Sequence, residues 1–421
     1  GARRAALPQP GPVTNMTDVP GAARSAARPH APFGLDLAPQ HRVYGAFAIY
    51  SFCMGNIFPR LPDIQHAMGV PEGALGLGLI GTPIGTLISL TFASPILERI
   101  GFRRSLMVLI PLLALFYAIA SFAPNPVVFF FLLIPAGISI GGIELIINLE
   151  ADRTEHLIGR RIMNRAHGFW SIGFFFAGLV GGFVAQLGVP APVHLLLIVP
   201  LAVIAVTLVL SRFDPAPMRA GGNTDAVPRF AAPTVAIMAL VAVTLAAMVM
   251  EGAYMDWSAI YMRNIFGSTP FLAAMAVALG AGAQSVTRLF ADSFVERYSP
   301  TAVARVLLSI VAVGVVLVFF APSEAIALVG FALLGVGTSA IFPLAMSAAA
   351  QLTDRPAALN VAALAQTSFV TFLVAPPVLG GIAQGFGIRW SFGIGLPFVI
   401  LSFIMAGVLG RKRATKAVPA E

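Results

Sequence analysis

Charge is what this sequence has least of. Only 10% of its 421 residues are Asp, Glu, Lys or Arg, against about 25% in ordinary soluble domains. A chain with so little charge cannot cover a water-facing surface, which excludes a soluble globular protein of this length. Cysteine is almost missing too: Cys53 stands alone, so there is no disulfide framework and no thiolate metal site. The six histidines are scattered, without the short spacings that metal ligands adopt, so neither a metal nor a cofactor is expected. No lysine lies inside the apolar body, since the only two are Lys412 and Lys416, and a Walker-type phosphate loop needs one. No nucleophile–base pair marks an enzyme, and Ser171 near His167 reads as a packing serine.

What the sequence has instead is hydrocarbon. Hydrophobic residues make up 58% of it and the mean hydropathy is +0.88. Crossing a bilayer takes about 20 consecutive apolar residues in a helix, and charge-free windows of that size recur along the chain. Turn residues divide the longest: Pro124-Asn125-Pro126 splits one, and Gly188-Val189-Pro190-Ala191-Pro192 another. The pattern predicts an all-α membrane protein with twelve spans, near 43–59, 73–94, 104–122, 126–150, 165–187, 192–211, 233–262, 270–293, 302–320, 323–350, 359–386 and 388–410. Gly76-Leu77-Gly78-Leu79-Ile80-Gly81 matches Gly-x-Gly-x-x-Gly. No strand precedes it and it lies within an apolar span, so these glycines, with Gly85, suit close helix packing rather than a nucleotide.

Residues 1–40 are rich in Ala, Pro and Arg and read as a disordered tail. The chain opens on Gly1, and Met16 is a candidate start. The net charge of +8 is topological. With an even number of spans, 22 of the 26 Lys and Arg fall on the side of the termini, and only Arg60, Arg263 and Arg389 on the other, with Arg288 inside span eight. The positive-inside rule then predicts that both termini are cytoplasmic, in a bacterial inner membrane. Basic charge so explained leaves no call for nucleic acid; the expected partners are the bilayer, a small-molecule substrate and protons.

The chain also repeats itself at an offset near 198. Glu98-Arg99-Ile100-Gly101 after span two matches Glu296-Arg297-Tyr298-Ser299 after span eight, and Ala185-Gln186 matches Ala383-Gln384. The predicted organisation is a six-helix bundle over 41–212, a cytoplasmic linker over 213–232, a second bundle over 233–411 and a tail over 412–421. Repeats related by an axis along the membrane normal are a transporter architecture, with the substrate near the midplane.

Two six-helix halves joined by a cytoplasmic loop, with an acid–basic turn after spans two and eight, resemble the major facilitator superfamily. That family's loop pattern, Gly-x-x-x-Asp-Arg-x-Gly-Arg-Arg, is approached by Ser94-Pro95-Ile96-Leu97-Glu98-Arg99-Ile100-Gly101-Phe102-Arg103, with Ser for the first Gly, Glu for Asp and Phe for the first Arg of the closing pair. The strings Met163-Asn164-Arg165-Ala166-His167-Gly168-Phe169-Trp170-Ser171-Ile172-Gly173 and Glu251-Gly252-Ala253-Tyr254-Met255-Asp256-Trp257-Ser258 look like the MosC-like branch, whose proposed substrate is an inositol-derived rhizopine. The resemblance implies a monomeric carrier whose spans one, four, seven and ten line a cavity.

Ionisable groups inside a bilayer are costly and are functional candidates by default. Glu144 and Asn148 are four apart and share a face of span four; His167, at similar depth in span five, completes a candidate polar cluster. Glu251, Tyr254 and Ser258 share a face of span seven, beside Asp256 and Trp257, which could stack on a sugar ring. A helix-end cation such as Arg60 or Arg263 is a possible partner for Asp256. The resemblance adds Tyr50, Asn56 and Gln366. Glu98, Arg99 and Arg103, with Glu296 and Arg297 in the repeat, read as a cytoplasmic gate, and an Arg288–Asp292 pair extends it. Two unpaired acids, Glu144 and Glu251, predict a proton-coupled carrier of a small polar solute such as a sugar or polyol. An exporter of amphipathic or cationic compounds and a non-transporting membrane sensor stay open as alternatives.

Overall fold

The computed structural model describes residues 34–217 and 231–410, without the side chains of Asn164, Ala291, Asp292, Glu296 and Ala358. The expected tails over 1–33 and 411–421, and residues 218–230 of the expected linker, lie outside the described residues. Among the described residues every regular element is helical. In chain order the long helices are α1 (Pro39–Gly55), α2 (Glu72–Phe92), α3 (Phe102–Ala120), α4 (Pro126–Ile158), α5 (Met163–Gln186) and α6 (Ala191–Leu210). Then follow α7 (Val235–Phe266), α8 (Pro270–Arg297), α9 (Pro300–Phe320), α10 (Glu324–Ala350), α11 (Ala357–Phe386) and α12 (Ile388–Gly410). Eleven of them are long and apolar enough to cross a membrane. The shorter α1 has 17 residues and runs on into a 3-10 turn at Phe58–Arg60.

Local chemistry sets the ends. With no water to satisfy backbone groups in hydrocarbon, a span must be helical and its ends must be capped. The side chains of Asn125, Thr234, Thr269 and Ser299 each accept from a backbone N–H in the first turn of α4, α7, α8 and α9. Proline follows three of them, as Pro126, Pro270 and Pro300, where its missing N–H costs nothing. Gly159 and Gly267 close α4 and α7 in the left-handed conformation. The largest shift of a predicted boundary is in α4, which continues to Ile158 rather than ending near 150. Charge at Glu150, Asp152 and Arg153 ends the apolar run, but those residues sustain a helix beyond the membrane.

Burial is arranged for lipid. Val203 and Ile204 of α6, Val306, Val313 and Phe320 of α9, and Ile400 and Ile404 of α12 are all exposed, whereas Thr86, Ser89 and Ser139 are buried between helices. The glycines of the Gly-x-Gly-x-x-Gly string do pack helices: a Cβ at Gly81 or Gly85 would collide with the carbonyls of Phe130 or Ile134 on α4.

The first six helices meet the last six through α5 against α8 and α2 against α11. The second contact is confined mainly to Glu72–Leu79, so α2 and α11 diverge beyond it, toward the face that carries Arg99 and Arg103. At the opposite face the two groups are tied together. Asn264 donates to Glu72 at 2.9 Å, Arg263 lies 4.0 Å from Asp63, and Phe271 N–H donates to Gln186 at 3.2 Å.

Candidate functional site

Glu251 lies midway along α7 and is the centre of a polar knot drawn from four helices. Gln284 of α8 donates its amide to Glu251 Oε1 at 2.9 Å, and the Arg288 guanidinium lies 3.7 Å from the same oxygen. Arg288 sits one helical turn after Gln284, so one face of α8 presents both groups to α7. The guanidinium also donates to the Ser339 carbonyl at 3.0 Å and to Ser171 Oγ of α5 at 3.2 Å. Ser339 is where α10 breaks, between helical segments ending at Thr338 and starting at Ile341. Irregular backbone at membrane depth is tolerated where protein groups satisfy it, and Arg288 does so here. One cation thus joins an acid of α7, the break in α10 and a hydroxyl from the first six helices.

A second acidic centre lies on α4. Asn148 donates to Glu144 Oε2 at 2.9 Å and to the Glu144 carbonyl at 2.8 Å, and the Tyr50 phenol approaches the carboxyl from α1. Among the described residues no cation lies within ion-pair distance of Glu144. Asp256 of α7 lies within electrostatic range of Tyr117 of α3. On α7, on α8 and at the end of α1 several buried polar atoms have no hydrogen-bond partner among the described residues: Tyr254 Oη, Trp257 Nε1, Ser258 Oγ, Gln284 Oε1 and Asn56 Oδ1. Buried polar groups are nearly always satisfied; other such atoms stand away from the acids, as at His194 and Glu150.

Several expectations change. Glu251 is not unpaired, because Arg288 and Gln284 hold it. Arg288 faces the interior rather than the gate, since its turn of α8 packs against α5 and α10; the side chains of Asp292 and Glu296 are outside the described residues. Asp256 does not pair with Arg60 or Arg263: Arg60 takes Asp63 at 2.9 Å and the Val189 carbonyl at 2.6 Å, and Arg263 faces Asp63 as well. Among the described residues Asn148 bonds to Glu144 rather than to His167, whose ring is edge-on to Phe47 with centroids 5.1 Å apart. Gln366 accepts from Ala231 N–H at 3.1 Å, beside Arg355, which donates to the Ala232 carbonyl at 2.8 Å. It serves the end of the connection between the two groups. Nearby, the Asn360 amide holds the Asp354 carboxyl below the usual carboxylate range.

At the expected gate, Glu98 and Arg99 are exposed, and among the described residues Glu98 accepts from Ser94 alone, at 3.3 Å. Among the described residues neither they nor Arg103 form an ion pair, and Arg297 lies over the ring of Tyr298. Gln284, Ser171, Ser339, Trp170 and Tyr117 were not foreseen. Gln284 had a signal, its four-residue spacing from Arg288. The others are ordinary hydroxyls and aromatics that only the packing brings in.

The sequence profile of the Major Facilitator Superfamily matches residues 43–367 and 239–421. A protein of Sinorhizobium fredii described as "Uncharacterized transporter y4wD" is 28% identical over 379 residues, covering 89% of this chain and 98% of that one. Membrane protein MosC of Rhizobium meliloti is 24% identical over 353 residues, with 83% of each chain covered. Among solved structures, a D-xylose–proton symporter superposes with a TM-score of 0.68 at 12% identity, covering 88% of this chain and 96% of that one. The profile spans nearly the whole of the described helices, and the chain belongs to the major facilitator superfamily, whose members are carriers and not enzymes.

Proposed function

We propose that this chain is a proton-coupled secondary carrier of a small polar solute, of sugar or polyol type, working by alternating access in a bacterial inner membrane. The two moving bodies are the six-helix halves 41–212 and 233–411, with both termini cytoplasmic. The observation that carries the proposal is the Glu251–Arg288–Gln284 knot. Ionised, Glu251 is held by Arg288. Protonated, it loses that attraction and releases the guanidinium that also reaches Ser171 in the other half. Proton occupancy of one carboxyl is thereby coupled to a contact between the halves. The unpartnered atoms of Tyr254, Ser258 and Gln284 offer the mixed donors and acceptors that hydroxyls require, and the partly exposed Trp170 is the candidate to stack on a ring. The likeness to a D-xylose–proton symporter supports the solute class.

The test is a thermal-shift screen of purified protein against D-xylose, D-glucose, myo-inositol, amino acids and lipophilic cations at two pH values. A ligand that binds only the native state raises the melting temperature by mass action. Stabilisation by a sugar or polyol that changes with pH, and loses its pH dependence in Glu251→Gln, is expected. A response confined to lipophilic cations would replace this reading with export.

A further inference from the structure

On the outer face of the last six helices, away from the central site, a groove of about 480 Å³ runs between α9, α10 and α12. Its walls are Val306, Ile310 and Val313 of α9, Leu333 of α10 and Phe403 of α12, and one charged residue, Arg305, stands among them. Five residues into α9, Arg305 lies about 7.5 Å from the start of that helix, at the depth where headgroup gives way to hydrocarbon. The start of α9 is at the face where the basic residues gather. From Arg305 to Val313 the groove extends a further 12 Å or so along the helix, which is the length of a good part of an acyl chain.

Arg305 is exposed, and its guanidinium lies over the Phe403 ring at 5.4 Å. The stacking fixes the cation against the groove without neutralising it. Among the described residues no carboxylate lies within ion-pair distance of Arg305. The only other polar side chain of the groove, Ser309, spends its hydroxyl on the Arg305 carbonyl at 2.9 Å. Gly410 at the end of α12 abuts Thr301, one turn before Arg305. A cation without a counterion near the hydrocarbon edge and an apolar channel below it together specify an amphiphile with an anionic head.

We propose that this groove is a binding site for an anionic phospholipid, with the phosphate-bearing head on Arg305 and an acyl chain along Val306, Ile310, Val313 and Leu333. A zwitterionic lipid could fill the apolar channel but brings a compensating cation to the same place.

The test uses the full chain purified in detergent, titrated with phosphatidylglycerol or phosphatidylcholine of identical acyl chains and read by native mass spectrometry. Wild-type protein is expected to retain one phosphatidylglycerol about fivefold more tightly than phosphatidylcholine, and Arg305→Gln to lose that difference. Val313→Trp, which fills the channel and leaves the charge, is expected to lose the same bound lipid. Inorganic phosphate at equal concentration is the control for a free anion, and it should not displace phosphatidylglycerol. Equal retention of the two lipids by wild type, an unchanged preference in Arg305→Gln, or displacement by inorganic phosphate would each overturn the proposal. Should Arg305→Gln fail to fold, the wild-type comparison and Val313→Trp still decide it.

Discussion

Glu251 shows what one ionisable side chain requires in hydrocarbon. On insertion scales a lone charge at a helix centre costs roughly 2.5–3.5 kcal/mol, and here the acid is met by a guanidinium and an amide. Removing one partner of such a pair is more damaging than removing both, because it leaves a charge without compensation. With 15% and 19% of the two side chains still exposed, we expect Arg288→Gln to cost about 2 kcal/mol. The double variant Glu251→Gln/Arg288→Gln should recover most of that. Melting temperatures of the two purified variants check it, and a double variant less stable than the single one would count against a mutual pair. The sequence made Glu251 legible through its spacing with Tyr254 and Ser258, and Glu144 through its four-residue spacing with Asn148. It did not reveal that Arg288 belongs with Glu251. That contact crosses from α8 to α7, and helical spacing orders residues within a helix, not between helices. Asp292 lay closer in sequence and drew the expectation away.

At the scale of elements, hydropathy was sufficient for the spans because a bilayer imposes length and apolarity together. The places where it failed are places where those two part company. The helix α4 outlasts its apolar run, and α10 contains a break at Ser339 that apolar composition conceals. The glycines of α2 were legible as packing residues, and Gly81 and Gly85 serve that end against α4. Gly73, at the other end of α2, faces α11: a Cβ built on it lies 3.8 Å from Gln384 Cβ, the separation usual in a disulfide. Gly73→Cys/Gln384→Cys in a Cys53→Ala background is therefore expected to form a cross-link under mild oxidation and to stop transport. Reduction should restore it. Full cross-linking with unimpaired transport would mean that this contact never has to open.

For the whole molecule, the ties among Asp63, Glu72, Arg263 and Asn264 close one face, while α2 and α11 part toward the other, where Glu98 and Arg99 stand exposed. The structure therefore ties the two groups of helices at the face opposite the basic one, which on our reading is the periplasmic face. Alternating access requires the reverse state, with the first set of ties broken and the Glu98–Arg99 turn engaged. The proposed coupling lies between the two, in a carboxyl that binds a proton from one side and yields it to the other. It is tested most directly in proteoliposomes, by comparing accumulation of the stabilising solute under an inward proton gradient with its counterflow when no gradient is applied. Wild-type protein should do both, and Glu251→Gln should keep counterflow while losing accumulation above equilibrium. Gradient-driven accumulation that survives intact in Glu251→Gln would contradict the account.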